Sequence, residues 1–228
     1  MKNFAANCNR LPLSALMGAF LVIAATSTAF TQSAPAHPLV VEIVATPGAT
    51  LLDFAGPSEV FGVIPGHAVE YVVSEGMGPF KLENGVKIAP DYTFDDAPKP
   101  DIVVIGSQAV KGSDTAMAWL RGVHARGGLV MSVCTGADWL GQSGLLAGLE
   151  ATTHHHAYSS FQRNFSDVKV VRGRRYVESE ANLFTAGGYT AGLDLALHLV
   201  DERYGRKAAQ DVARRLEYKG DGWITNEW

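Results

Sequence analysis

From Leu39 onward the chain alternates short, continuous apolar runs with longer segments whose apolar residues recur at helical spacing. The short runs are LVVEIVAT (39–46), VEYVVSE (69–75), DIVVIG (101–106), GLVMSV (128–133) and NLFTA (182–186), and each reads as a strand. Between them the pattern predicts a helix from about Gly56-Pro57 to Val63 and a second over 113–126, closed by Gly127-Gly128. A third leaves Cys134-Thr135-Gly136 and runs to about Gly144, and further helices are expected over 155–164, 189–204 and 205–217. Two hairpins complete the pattern: FKLENGVKIAP (80–90), turned at Asn84-Gly85, and VKVV (168–171) paired with RYVES (175–179). Strands that are apolar on both faces and separated by helices belong in a parallel sheet covered on both sides. The fold class that follows is α/β, a doubly wound, mostly parallel sheet with helices on both faces, in one domain over 39–228.

The first residues follow a different pattern. Lys2 and Arg10 precede an apolar run, Leu11 to Ala25, and the small polar stretch Thr26-Ser27-Thr28-Ala29 follows. A basic start, an apolar middle and a small-residue end make a secretory signal peptide. The run is shorter than the roughly 20 apolar residues of a spanning helix and contains Pro12. Residues 1–33 are therefore expected to be signal and leader, cleaved after Ala29, Ser33 or Ala36, with the mature protein exported and free of the membrane.

Removing that segment changes the charge and the cysteine count. Residues 39–228 carry 17 basic and 23 acidic side chains, whereas residues 1–38 carry two basic and none acidic. An acidic body without a basic stripe lacks the electrostatic footprint of a nucleic-acid binder. Of the two cysteines, Cys8 leaves with the signal and Cys134 stays. One cysteine allows neither an intramolecular disulfide nor a thiolate zinc site.

Sites in doubly wound sheets gather at the carboxyl ends of the strands. In MSVCTGADWLG (131–141) a fully apolar strand ends in Cys134 and turns at once into a helix. That is the geometry of a nucleophile elbow. The helix N-terminus is expected to favour the thiolate, and the N–H groups of Thr135 and Gly136 to face developing negative charge. LLDFAGPSEVFG (51–62) supplies two acids, Asp53 in the loop after the first strand and Glu59 within the next helix. A carboxyl group in apolar surroundings there would be raised in pKa and suited to proton transfer, although Asp53 also reads as a turn residue and Glu59 as part of a solvated face. In ATTHHHAYSSF (151–161), consecutive histidines point in different directions on a strand or helix, and no Cys, Asp or Glu joins them at ligand spacing. No metal site is expected, and a single histidine directed at the thiol is the alternative. AGGYTAGLD (186–194) opens a helix and could hold an anion, but it lacks G-x-G-x-x-G spacing, and close packing explains its glycines equally well. No cofactor is expected.

SVCTGADWLGQSGLLAG followed by ATTHHHAY resembles the ThiJ/PfpI family, which shares the flavodoxin-like, class I glutamine amidotransferase-like fold. With LLDFAGPSEVFG and GGYTAGLDLAL, the likeness is greatest to the isonitrile hydratase subgroup and spans about 39–218. The resemblance implies that Cys134 is the nucleophile, with Thr135 its elbow neighbour. It implies that Asp53 transfers protons, that Glu59 lies close to the thiol, and that His154 is held near it. It further implies a small-molecule substrate and admits a homodimer. One departure stands out: Gly106-Ser107-Gln108 replaces the usual P-G-G after the third strand, where Gly106, Ser107 and Gly136 are expected to line the oxyanion or substrate surface.

Two readings follow. One is an enzyme hydrating an isonitrile or similar small carbon electrophile to an N-substituted formamide, using Cys134 and Asp53. The other is a non-catalytic small-molecule-binding or thiol redox-sensing module in the same pocket. A DNA-binding regulator would need an appended helix-turn-helix domain, for which Lys219 to Trp228 leaves no expected room.

Overall fold

The computed structural model describes residues 38–228, apart from Pro65 and His67, so the leader with Cys8 lies outside the described residues. In chain order, β1 (Leu39–Val44) leads into α1 (Leu51–Gly62) and β2 (Ala68–Ser74), followed by β3 (Phe80–Lys81), β4 (Lys87–Ile88) and β5 (Tyr92–Thr93). Next come β6 (Ile102–Ile105), α2 (Asp114–Ala125), β7 (Leu129–Val133), α3 (Ala137–Ser143) and β8 (Glu150–Ala151). The remainder is α4 (Tyr158–Asn164), β9 (Lys169–Val170), β10 (Tyr176–Glu180), β11 (Leu183–Ala186), α5 (Thr190–Tyr204), α6 (Arg206–Arg215) and α7 (Gly222–Thr225).

The main sheet has seven strands in the order β10-β11-β7-β6-β1-β2-β5. Every pairing is parallel except β10 with β11. Alternation along the strands explains why their runs are apolar throughout. Val41 and Ile43 of β1, with Ile102 and Val104 of β6, face α1, α5 and α6. Val44, Val103 and Ile105 face α2 and α3 on the other side. The doubly wound α/β fold is the observed one. Among the described residues no helix is long and apolar enough to cross a membrane.

Two local expectations need correction. Helix α1 begins at Leu51, not near Gly56-Pro57, so Pro57 lies inside it. The turn containing Asp53, Phe54, Gly56 and Pro57 is buried, with Gly56 packed on Leu193 of α5, and that burial outweighs the lost backbone bond. The second hairpin is absent: β9 pairs in parallel with β8, and β10 pairs with β11. Alternating patterns identify strands but not their partners. The short strands β5 and β8 and the four-residue α7 are too brief for a periodic pattern to reveal.

The first hairpin stands as expected, with β3 antiparallel to β4. It grips the loop between β1 and α1: Gly48 N–H donates to Lys81 O at 2.9 Å, and Glu83 N–H to Ala49 O at 3.1 Å. The start of α1 is thereby fixed at the carboxyl edge of the sheet.

Candidate active site

Strand β7 delivers Cys134 from the middle of the sheet into a tight turn, Cys134–Gly136, that opens α3. Cys134 takes φ 59°, a left-handed conformation costly for a side chain with a Cβ. Three contacts hold it there. Its N–H donates to Gly187 O at 2.8 Å, and its C=O accepts from the buried Thr153 hydroxyl at 2.9 Å. Gly136 then passes so close to β6 that an added Cβ would stand 2.2 Å from Ile105 O, so no other residue fits. The elbow is imposed by neighbours on both sides.

Asp53 occupies the first turn of α1 and is fully buried. Its Oδ2 accepts from Ser107 N–H at 2.9 Å and its Oδ1 from Tyr189 N–H at 3.1 Å. Gly106 permits the approach, because a Cβ there would lie 2.8 Å from that of Asp53. The anion at the Gly-rich turn before α5 is thus the protein's own carboxylate. The turn's glycines also pack closely, Gly188 on His154 and Gly192 on Val133.

Asp53 and the Cys134 thiol face each other closely enough for each to alter the other's proton affinity. Burial pushes the Asp53 carboxyl up to about 6, against the opposing pull of the Ser107 and Tyr189 N–H groups and of the thiol. Burial and then the Asp53 charge push the Cys134 thiol up to about 12. The expectation of a ready thiolate at a helix N-terminus is therefore corrected. Cys134 is only 7% exposed, and the Thr135 N–H beside the sulfur offsets part of the rise. At neutral pH the resting pair is a thiol against a carboxylate.

The turn after β6 explains the departure at Gly106-Ser107-Gln108. Gln108 Oε1 accepts from Thr46 N–H at 2.9 Å and from the Thr46 hydroxyl at 2.8 Å. Its Nε2 donates to Val44 O at 3.0 Å and Gly106 O at 3.1 Å. One amide ties the ends of β1 and β6 together. Ser107 N–H, expected to face a substrate oxyanion, is taken up by Asp53, and Ser107 Oγ accepts from the Thr135 hydroxyl at 2.7 Å. Ser107 thus links Asp53 to Thr135.

Of the expected site residues, Cys134, Asp53, Thr135, Gly106, Ser107 and Gly136 converge. Glu59 does not: it is exposed on α1, with no hydrogen bond or ion pair to the thiol, and its charge acts on Glu70. Starting α1 at Leu51 puts Asp53 on the buried face and turns Glu59 outward. His154 lies at the rim, its ring against Gly188 and edge-on to Tyr189 at 5.9 Å, with no hydrogen bond to Cys134. Burial and then the neighbouring histidines hold its pKa below the ordinary value. The argument that three consecutive histidines must diverge also fails. A 3-10 turn at His155–Ala157 gathers them, with ring centroids 4.0–5.0 Å apart. Their ligand nitrogens lie within 4.8 Å of one another, so among the described residues this group could hold a metal ion. Sequence reasoning missed Tyr189, which itself takes φ 53° and whose N–H holds Asp53; its only signal was the Gly-Gly turn before α5.

The sequence pattern of the DJ-1/PfpI family matches residues 40–202. The chain belongs to the DJ-1/PfpI family. It is 36% identical to isonitrile hydratase of Pseudomonas putida over 73% of each chain. It is 30% identical to the HTH-type transcriptional regulator GbdR of Pseudomonas aeruginosa over 60% of this chain but 37% of that protein. Among solved structures, a ThiJ/PfpI family protein from Pseudomonas syringae superposes with a TM-score of 0.68 at 28% identity, covering 81% of this chain and 76% of that one. The DJ-1beta of Drosophila melanogaster shares the fold, with a TM-score of 0.66 at 22% identity, covering 80% of this chain and all of that one. Family members thus include both an enzyme and regulators of transcription.

Proposed function

We propose that this DJ-1/PfpI protein is a cysteine-dependent hydratase that converts a small isonitrile to the N-substituted formamide. The observation that carries the reading is the buried pair of the Cys134 thiol and the Asp53 carboxylate, the latter oriented by two backbone N–H groups. The likeness to isonitrile hydratase over most of both chains supports the substrate class.

The chemistry follows from the resting protonation. An isonitrile carbon is electrophilic toward sulfur and basic once attacked. As Sγ of Cys134 bonds to it, Asp53 accepts the thiol proton and passes it to that carbon, leaving a thioimidate. A carboxyl raised to about 6 is a stronger base than an ordinary aspartate, yet is still largely ionised at neutral pH. Asp53 then takes a proton from water as the water oxygen adds to the same carbon. Asp53 delivers that proton to the nitrogen, the C–S bond breaks as the remaining hydroxyl proton returns to the sulfur, and the N-substituted formamide is released. The net change is the addition of one water. Thr135 N–H stabilises the charge that passes through sulfur. Glu59 has no part in this scheme.

The test is incubation of the purified protein with several alkyl isonitriles, followed by NMR of formamide. Turnover is expected with the native chain and none with Cys134→Ala. No turnover across the series, or full turnover in Cys134→Ala, overturns the proposal. Export is part of the same reading, supported by the basic-then-apolar start of the chain. N-terminal sequencing of protein recovered outside the cytoplasm should begin between Phe30 and His37.

A further inference from the structure

Among the described residues, three potential metal ligands of the His, Cys, Asp or Glu type converge at His154, His155 and His156. We propose that this turn binds one divalent ion of borderline softness, of the zinc and nickel class, at the rim of the thiol site. The proposal stands apart from the hydratase reading, which uses neither His155 nor His156.

The first ligand is built in. Thr152 N–H donates to the buried Thr185 hydroxyl at 2.9 Å, and the Thr153 hydroxyl donates to Cys134 O at 2.9 Å, so the backbone entering His154 is anchored in the core. Ala157 N–H closes the turn on His154 O at 2.7 Å. The imidazole is backed by Gly188, where a Cβ would stand 2.2 Å from its Cδ2. Its Nδ1 accepts a long bond from His156 N–H at 3.4 Å, which an ion binding at that nitrogen would displace.

The other two ligands are adjustable. His155 and His156 are exposed, and their rings stand 4.0 Å apart at 69°. Zinc–nitrogen bonds of about 2.0–2.1 Å put two tetrahedral ligand nitrogens about 3.4 Å apart. The present separations, all within 4.8 Å, would have to close to that by rotation of the side chains. Three imidazoles with no carboxylate select zinc, nickel or copper over magnesium or calcium. The fourth position would remain open to water or a small ligand, as in three-histidine sites generally. His154 touches Gly188 and Tyr189, and the Tyr189 N–H holds Asp53, so the ion would stand beside the entrance to the Cys134–Asp53 pair.

The experiment is competition of the purified protein with a chromophoric chelator for Zn2+ or Ni2+, each alone, with Mg2+ as a control. One equivalent of Zn2+ should bind. The double variant His155→Ala/His156→Ala should bind at least tenfold more weakly while keeping its circular dichroism. Cys134→Ala and His198→Ala should bind as the native protein does. Undiminished binding in the double variant, loss of binding in Cys134→Ala, or no stoichiometric binding by the native protein would each overturn the assignment. Activity toward isonitriles enters none of these readouts.

Discussion

Asp53 is held ionised by two N–H groups and pressed toward neutrality by burial, and the balance leaves it near 6. That position dictates a pH dependence. The proposed reaction would need Asp53 as a carboxylate to receive the thiol proton, so kcat/KM should fall as pH drops through about 6. A profile flat from pH 5 to 7 would place the base elsewhere. Asp53→Asn should lower turnover by about a hundredfold or more, since general acid–base groups contribute on that scale. The same substitution removes the charge that raises the Cys134 pKa, so iodoacetamide should alkylate Cys134 faster at pH 8 in the variant. Opposite changes in turnover and alkylation separate proton transfer from a general loss of structure.

At the level of elements, the site depends on how closely the ends of β1, β6 and β7 approach one another. Gly136→Ala drives a methyl into the carbonyls of Ile105 and Gly106 and should cost more than about 2 kcal/mol in urea unfolding. Gln108→Leu is nearly the same size but deprives Thr46, Val44 and Gly106 of their partners. It should cost about 3 kcal/mol by the same measurement, because several polar groups are stranded together. The elbow itself was legible, since an apolar strand running into Cys-Thr-Gly has few other outcomes. Glu59 was placed near the thiol by the resemblance alone, and it occupies the solvated helix face that its own pattern also allowed. Beginning α1 at Leu51 moves Asp53 from loop to the buried face of a helix.

At the scale of the whole molecule, one unpartnered buried carboxyl group makes stability depend on pH. Glu42 lies in the inner strand β1, fully buried, and neither carboxylate oxygen has a hydrogen-bond partner. Burial raises its pKa from 4.5 to about 8, so the folded state binds a proton that the unfolded chain releases. The folded protein therefore loses stability, on the order of a few kcal/mol, as pH rises from about 4.5 to about 8. Glu42→Gln removes that dependence. Denaturation at pH 5 and pH 8 should show the stability difference between variant and native protein moving in the variant's favour at the higher pH. An unchanged difference would mean that Glu42 is solvated in the folded state.

The sequence by itself determined the sheet class, the main strands and the chemical elbow at Cys134. Local periodicity and strand-to-helix turns are properties of short segments, and continuous apolar strands can be buried only between two layers. Tertiary structure decided what depends on residues far apart in the chain. It paired β9 with β8, set Asp53 between Ser107 and Tyr189, and turned Glu59 to solvent. It raised the Cys134 thiol rather than lowering it, because burial and a facing carboxylate outweigh a helix end. It also gathered three adjacent histidines that a regular strand or helix would have spread apart.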